Sequence, residues 1–241
     1  MDNIIIVNSA IEIAEKIALI IQKKAKQKAE NNEQLYLAIS GGNTPKILFI
    51  ILAQKYKSII PWNNIRFYWV DERCVSPKDA ESNFGVVNQL LFSNIEINNS
   101  QIERIKGEAN PSEEVCRYDK ILSSQLPVIK SIPVFDLILL GMGDDGHTAS
   151  IFPNQLHLLH SLNNCELAEH PLSAQKRITL TARIINNAHE AIFLVTGKNK
   201  SKILKEIIQK EGNYFQYPSA HIQLTHGILT WMVDKEAAEL L

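Results

Sequence analysis

The sequence predicts a three-layer, Rossmann-like α/β fold: one largely parallel sheet with helices on both faces. Two observations carry that expectation. Short apolar runs alternate along the chain with stretches of helical period. One of those runs, residues 135–140, passes directly into a glycine-rich turn holding Asp144, Asp145 and His147. Open α/β sheets present ligand-binding groups in this way, at the carboxyl ends of their strands.

Taken in order, the predicted strands are residues 4–7, 35–39, 65–70, 135–140, 191–196 and 228–233. Each is short, apolar and bounded by polar or turn residues, as a strand covered on both faces should be. Ile11, Ala14, Ile17, Ala18 and Ile21 mark one face of a first helix, whose lysine-rich end at residues 23–28 suits a helix carboxyl terminus. Pro45 after Thr44, and Pro111-Ser112 before Glu113-Glu114, predict further helix starts. Residues 94–99 and Asn163-Asn164 read as loops. No repeat, low-complexity tract or proline-rich linker divides the chain, so residues 1–241 are expected to form a single α/β domain.

Composition narrows the function classes. Hydrophobic residues make up 45% and charged residues 21%, which fits ordinary globular usage. A formal net charge of −1 offers no basic surface for nucleic acid, though it leaves room for a local cationic pocket. Charged residues interrupt the apolar start of the chain, and the longest strictly apolar run, residues 47–53, is far below the ~20 residues a membrane span requires. A cytoplasmic protein is expected. Cys74, Cys116 and Cys165 show neither paired nor metal-ligand spacing, and Cys74 has no adjacent histidine, so no thiol is given a catalytic role. No metal is expected, and a monomer is preferred because no apolar helix stripe stands out for a partner.

Three strand ends carry the candidate chemistry. After residues 35–39, Ser40-Gly41-Gly42-Asn43-Thr44-Pro45 leads into a helix, a setting whose backbone N–H groups attract phosphate or sugar oxygens. After residues 65–70, Asp71-Glu72-Arg73 should gather its charges at the same sheet edge. After residues 135–140, the glycines permit close approach of a ligand to the main chain. His147 is there an imidazole able to take a proton from water near neutral pH. His157, His160, His170, His189, His221 and His226 lack such a context and are expected to be structural or exposed. Arg183 is a weaker cationic candidate, since nothing local sets its direction.

Gly141-Met-Gly-Asp-Asp-Gly-His-Thr-Ala-Ser-Ile-Phe-Pro153 resembles the signature of 6-phosphogluconolactonases. Ser40 to Pro45, Trp69-Val-Asp-Glu-Arg-Cys-Val75, Arg177-Ile-Thr-Leu-Thr181 and Gly197-Lys-Asn-Lys200 agree with that family in the same order. Asn43 and Asp144 depart from it, standing where serine and proline are frequent. The resemblance implies hydrolysis of 6-phospho-D-glucono-1,5-lactone with no cofactor, the small-molecule phosphosugar lactone being the partner. It implies His147 as general base, oriented by Asp145 or Asp71, and Arg73 on either the phosphate or the lactone oxygen. The phosphate would lie on Ser40, Gly41, Gly42 and Thr44 with Arg177 and Lys200.

Glucosamine-6-phosphate deaminases share several of these motifs but carry a glutamate for ring opening where this chain has Phe152. A phenylalanine moves no protons, so the deaminase-like alternative lacks a required group. A non-catalytic sugar-phosphate-binding protein is the other alternative. The presence of both Asp145 and His147 speaks against it.

Overall fold

All six predicted runs become strands of one sheet in the computed structural model, which describes residues 3–241. The chain begins β1 (Asn3–Val7), α1 (Ala10–Glu30), β2 (Leu35–Ile39), α2 (Asn43–Lys55) and β3 (Ile65–Trp69). It continues through β4 (Asp71–Arg73), α3 (Asn83–Leu90), β5 (Ile102–Glu103) and α4 (Pro111–Gln125), then a small hairpin of β6 (Val128–Ile129) and β7 (Ile132–Pro133). The second half comprises β8 (Leu137–Gly141), β9 (Cys165–Glu169), β10 (Lys176–Leu180), α5 (Ala182–Ile185), β11 (Glu190–Val195), α6 (Ser201–Gln209) and β12 (Ile228–Asp234).

Seven strands form the main sheet in the order β1-β12-β11-β8-β2-β3-β5, with every pairing parallel. The chain moves outward from β2 through β3 and β5, and the opposite way from β8 through β11 and β12. The strand order therefore reverses between β2 and β8, which pair with each other. A crevice opens outside the carboxyl ends of strands at such a reversal. Consecutive residues of β8 and β11 are buried, so both faces of the sheet are covered. Beneath the crevice one core runs through the sheet, with Phe193 stacked on Trp231 at 4.0 Å between centroids.

Local signals explain the helix ends. The Ser9 side chain caps α1, and Asn110 caps α4 ahead of Pro111. The first turn of α1 departs from the expectation: Ile11 is exposed, whereas Ile13 is buried with Ala14, Ile17, Ala18 and Ile21. Starting the helix at Ala10 turns Ile11 to solvent one residue inside the end. The lysines closing α1 are held by carboxylates, Lys24 by Glu190 at 2.7 Å and Lys28 by Asp136 at 3.0 Å.

A second sheet was not foreseen. β4, β10 and β9 pair antiparallel beside the crevice. Charged residues and a length of three residues in β4 hid the pattern. Among the described residues, no helix is long and apolar enough to cross a membrane.

Candidate active site

The crevice is a cleft of about 740 Å³, and its lining includes His147, Asp145, Asp71, Arg73, Ser40, Gly41, Gly42, Thr44, Arg177 and Lys200.

The turn after β8 builds its own geometry. The Gly143 N–H donates to the His147 carbonyl at 2.8 Å and the Gly146 N–H to the Gly143 carbonyl at 3.1 Å, closing a tight loop. A side chain at position 143 would place its Cβ 2.1 Å from His147 Nδ1, so only glycine leaves room for the ring. Gly146 has φ of +79°, and a Cβ there would collide with the Tyr217 ring. Ser219 secures the same residue, its hydroxyl and N–H both donating to the Gly146 carbonyl.

Within that loop the Asp145 carboxylate lies 2.6 Å from His147 Nδ1 and accepts the His147 N–H at 3.1 Å. Burial works to raise the Asp145 carboxyl, but the hydrogen bonds and charge of His147 outweigh it and leave it below its ordinary value. A carboxylate at Nδ1 holds the proton on that nitrogen and leaves the Nε2 lone pair free.

Among the described residues Asp71 makes no hydrogen bond to His147. Its carboxylate is buried, accepting the Ser150 hydroxyl at 2.6 Å and the Asn83 amide at 3.2 Å. Glu72 also leaves the expected group. It is buried beneath the loop and accepts the N–H groups of Arg73, Asn83 and Phe84, fixing the start of α3. Burial raises its carboxyl despite those bonds.

The turn after β2 forms the second part of the site. No side chain caps α2, whose first helical bond runs from the Lys46 N–H to the Gly42 carbonyl. Pro45 has no N–H, so the N–H groups of Asn43 and Thr44 are the unpaired donors of this helix start. The Thr44 and Thr196 hydroxyls meet at 2.9 Å, tying the turn to the end of β11. Ser40 donates its hydroxyl to the Leu139 carbonyl at 2.7 Å, which commits its proton to the sheet. Lys200 reaches across from the start of α6, donating to the Met142 carbonyl at 2.6 Å and pairing with Asp144 at 2.5 Å. Lys200 in turn holds the Asp144 carboxyl below its ordinary value.

The opposite wall is cationic. Arg73 of β4 and Arg177 of β10 stand directly opposite each other in the antiparallel ladder. Like charges in that position are unfavourable unless an anion or a facing carboxylate joins them. Neither guanidinium forms an ion pair among the described residues. Burial lowers the Arg177 pKa; Asp71 opposes that effect and Arg73 adds to it. Arg177 lies 5.5 Å over the ring of Phe152, which also packs against His147 at 4.8 Å.

Three outcomes differ from the sequence reading. Arg183 sits on α5 and does not line the cleft. His170 does line it, although it was expected to be structural or exposed. Asn83, which holds Asp71, was missed because its role depends on α3 folding back over β4. The Cys74 thiol is half-buried and raised by burial and by Glu72, as an inert cysteine would be.

The family model described as glucosamine-6-phosphate isomerases/6-phosphogluconolactonase matches residues 8–231. The chain is 44% identical to the 6-phosphogluconolactonase of Aggregatibacter actinomycetemcomitans over 87% of its own length and 89% of the relative's. It shows the same identity and coverage to the 6-phosphogluconolactonase of Haemophilus influenzae. The crystal structure of devB protein superposes with a TM-score of 0.94 at 39% identity, covering 99% of both chains.

Proposed function

The chain belongs to the glucosamine-6-phosphate isomerase/6-phosphogluconolactonase family, and from that premise we propose that it hydrolyses 6-phospho-D-glucono-1,5-lactone to 6-phospho-D-gluconate in the oxidative pentose phosphate pathway. One observation carries the reading: a histidine with Asp145 on its Nδ1 shares a cleft with two arginines and a lysine.

The phosphate is held by the free N–H groups at the start of α2, by Gly41, Gly42 and Thr44, and by Lys200 and Arg177. Ser40 shapes the turn from below. His147 Nε2 then takes a proton from water as the water oxygen bonds to C1 of the lactone. The carbonyl electron pair moves onto oxygen, and Arg73 stabilises that oxyanion. Collapse breaks the bond from C1 to the ring oxygen. The His147 imidazolium returns its proton to that oxygen, which becomes the product hydroxyl, and the new acid ionises. Asp145 keeps the imidazolium oriented throughout, while Asp71 faces the sugar hydroxyls from a fixed position. Anchoring the phosphate places C1 against the water and supplies much of the rate through positioning.

Phe152 argues against the deaminase-like alternative. It stands where ring opening needs a carboxylate, and it is fully buried beneath His147. The test is formation of 6-phosphogluconate from freshly generated lactone at mildly acidic pH, where hydroxide-driven hydrolysis is slow. Acceleration by the wild type that disappears in His147→Ala is the expected result. A wild type no faster than the uncatalysed reaction rejects the reading.

A further inference from the structure

A second imidazole reaches the cleft. His170 follows β9 and closes the turn to β10: its N–H donates to the Gln175 carbonyl at 3.0 Å, and its carbonyl accepts the Ala174 N–H at 2.9 Å. Its Nδ1 accepts the N–H groups of Leu172 at 3.3 Å and Ser173 at 3.2 Å. Two N–H donors require a lone pair on Nδ1, so the proton of the neutral ring resides on Nε2. Burial, together with the neighbouring Arg177 and His147, pushes the ring below the ordinary imidazole value and favours this neutral form. Nε2 has no hydrogen-bond partner among the described residues.

Position narrows what that N–H meets. The His170 ring packs edge-on against Phe152 at 5.2 Å, the same ring that supports His147 and Arg177. His170 therefore shares the Phe152 ring with His147, the proposed base, and with Arg177. A neutral donor suits a hydroxyl or carbonyl oxygen, whereas the phosphate already has cations. His170 is no second base, because its lone pair is committed to the turn. The turn itself needs only an acceptor, which a short polar side chain supplies as well.

We infer that His170 donates its Nε2–H to an oxygen at the reacting end of the bound sugar, a ring hydroxyl or the lactone carbonyl; the ligand's identity rests on the lactonase reading above. His170 is thus a substrate-contacting residue that separates a sugar phosphate from bare phosphate.

Two substitutions divide the turn from the contact. In His170→Asn, the amide oxygen takes the place of Nδ1 and keeps the turn, but no group remains at Nε2. In His170→Gln, the longer amide restores a donor there. For each variant, the lactone kcat and KM, the Kd for 6-phosphogluconate, the Kd for inorganic phosphate and the Tm are measured. His170→Asn should keep the wild-type Tm and phosphate affinity. It should lose about tenfold in 6-phosphogluconate affinity and in kcat/KM, the scale of one hydrogen bond, with partial recovery in His170→Gln.

Unchanged 6-phosphogluconate affinity and kcat/KM in His170→Asn overturn the inference. If the wild type turns over no lactone and His170→Asn still weakens 6-phosphogluconate selectively, the lactonase reading falls and the contact stands. Should both variants unfold, the Nε2 resonance of His170 in ¹⁵N-histidine-labelled wild type decides: a shift on adding 6-phosphogluconate but not phosphate supports the contact, and no shift overturns it.

Discussion

The two walls of the cleft are made in different ways. On the parallel sheet, the turns after β2 and β8 supply backbone N–H groups and a histidine bonded to a carboxylate two residues away. On the antiparallel β4-β10-β9 sheet, side chains do the work: Arg73 faces Arg177, and Asp71 is held by Ser150 from 79 residues further along. The first wall is built from turns, and in the proposed mechanism it carries both the general base and the N–H groups that hold the phosphate. The second is assembled from distant segments, and in the proposed mechanism its Arg73 stabilises the oxyanion while Arg177 and Asp71 serve recognition. Phe152 joins them, packing against His147, Arg177 and His170.

If these roles hold, removing the general base His147 lowers kcat, whereas removing the phosphate ligand Arg177 chiefly raises KM. The largest effect is expected for His147→Ala: kcat falls by about 10²–10⁴ while 6-phosphogluconate still binds, as single-turnover assays and calorimetry would show. A comparable loss appearing in KM alone would merge the two walls. Phe152→Ala should damage both together. Truncating this fully buried ring costs about 3–5 kcal/mol of stability, readable in urea unfolding.

Arg177→Ala comes next, with KM raised about 10- to 100-fold through the loss of charged hydrogen bonds and kcat less affected. Arg177→Lys should recover only part of that, because a point charge cannot reproduce the planar fork. Steady-state kinetics on the three proteins checks this. Equal recovery by lysine would reduce the role of Arg177 to bulk charge.

Asp144→Asn should give the smallest change. Asp144 is 69% exposed, and its pair with Lys200 competes with substrate phosphate for the lysine, so KM should fall by up to about fivefold. The pH dependence has a definite sign. Because Lys200 depresses the Asp144 pKa, the pair's small stabilisation is present above the unfolded carboxylate value and is lost as pH falls through the lower folded one. The Tm values of wild type and Asp144→Asn should therefore differ slightly at pH 7 and converge in acid. A difference that persists in acid would show that Asp144 acts through something other than its charge.

Much of the first wall was legible beforehand because its determinants are short-range. The alternation of apolar runs with helical periods identified every strand of the main sheet except β5, whose two residues show no periodicity. The turn of residues 141–147 announced its histidine because glycine spacing and a nearby aspartate lie in one short segment. Of its glycines, Gly146 has a positive φ and Gly143 leaves space for the histidine ring, whereas a Cβ at Gly141 would meet nothing within 4 Å.

The second wall was legible as residue types without partners. Asp71, Arg73 and Arg177 could be named from their motifs, yet Glu72 lies beside Asp71 and Arg73 in sequence and turns to cap α3 instead. His170 gave no signal, since its two backbone donors and its place over Phe152 exist only once the β9–β10 turn is formed.

The sequence by itself determined the α/β class, the strand ends that carry chemistry and the short turn that holds both Asp145 and His147. Hydrophobic period and turn chemistry act over a few residues and need no knowledge of the rest of the chain. The tertiary structure alone decided which aspartate serves His147, where the guanidinium pair points and that a second imidazole enters the cleft. Those outcomes depend on strand register and on packing between distant segments, where a shift of one residue sends each side chain to the opposite face.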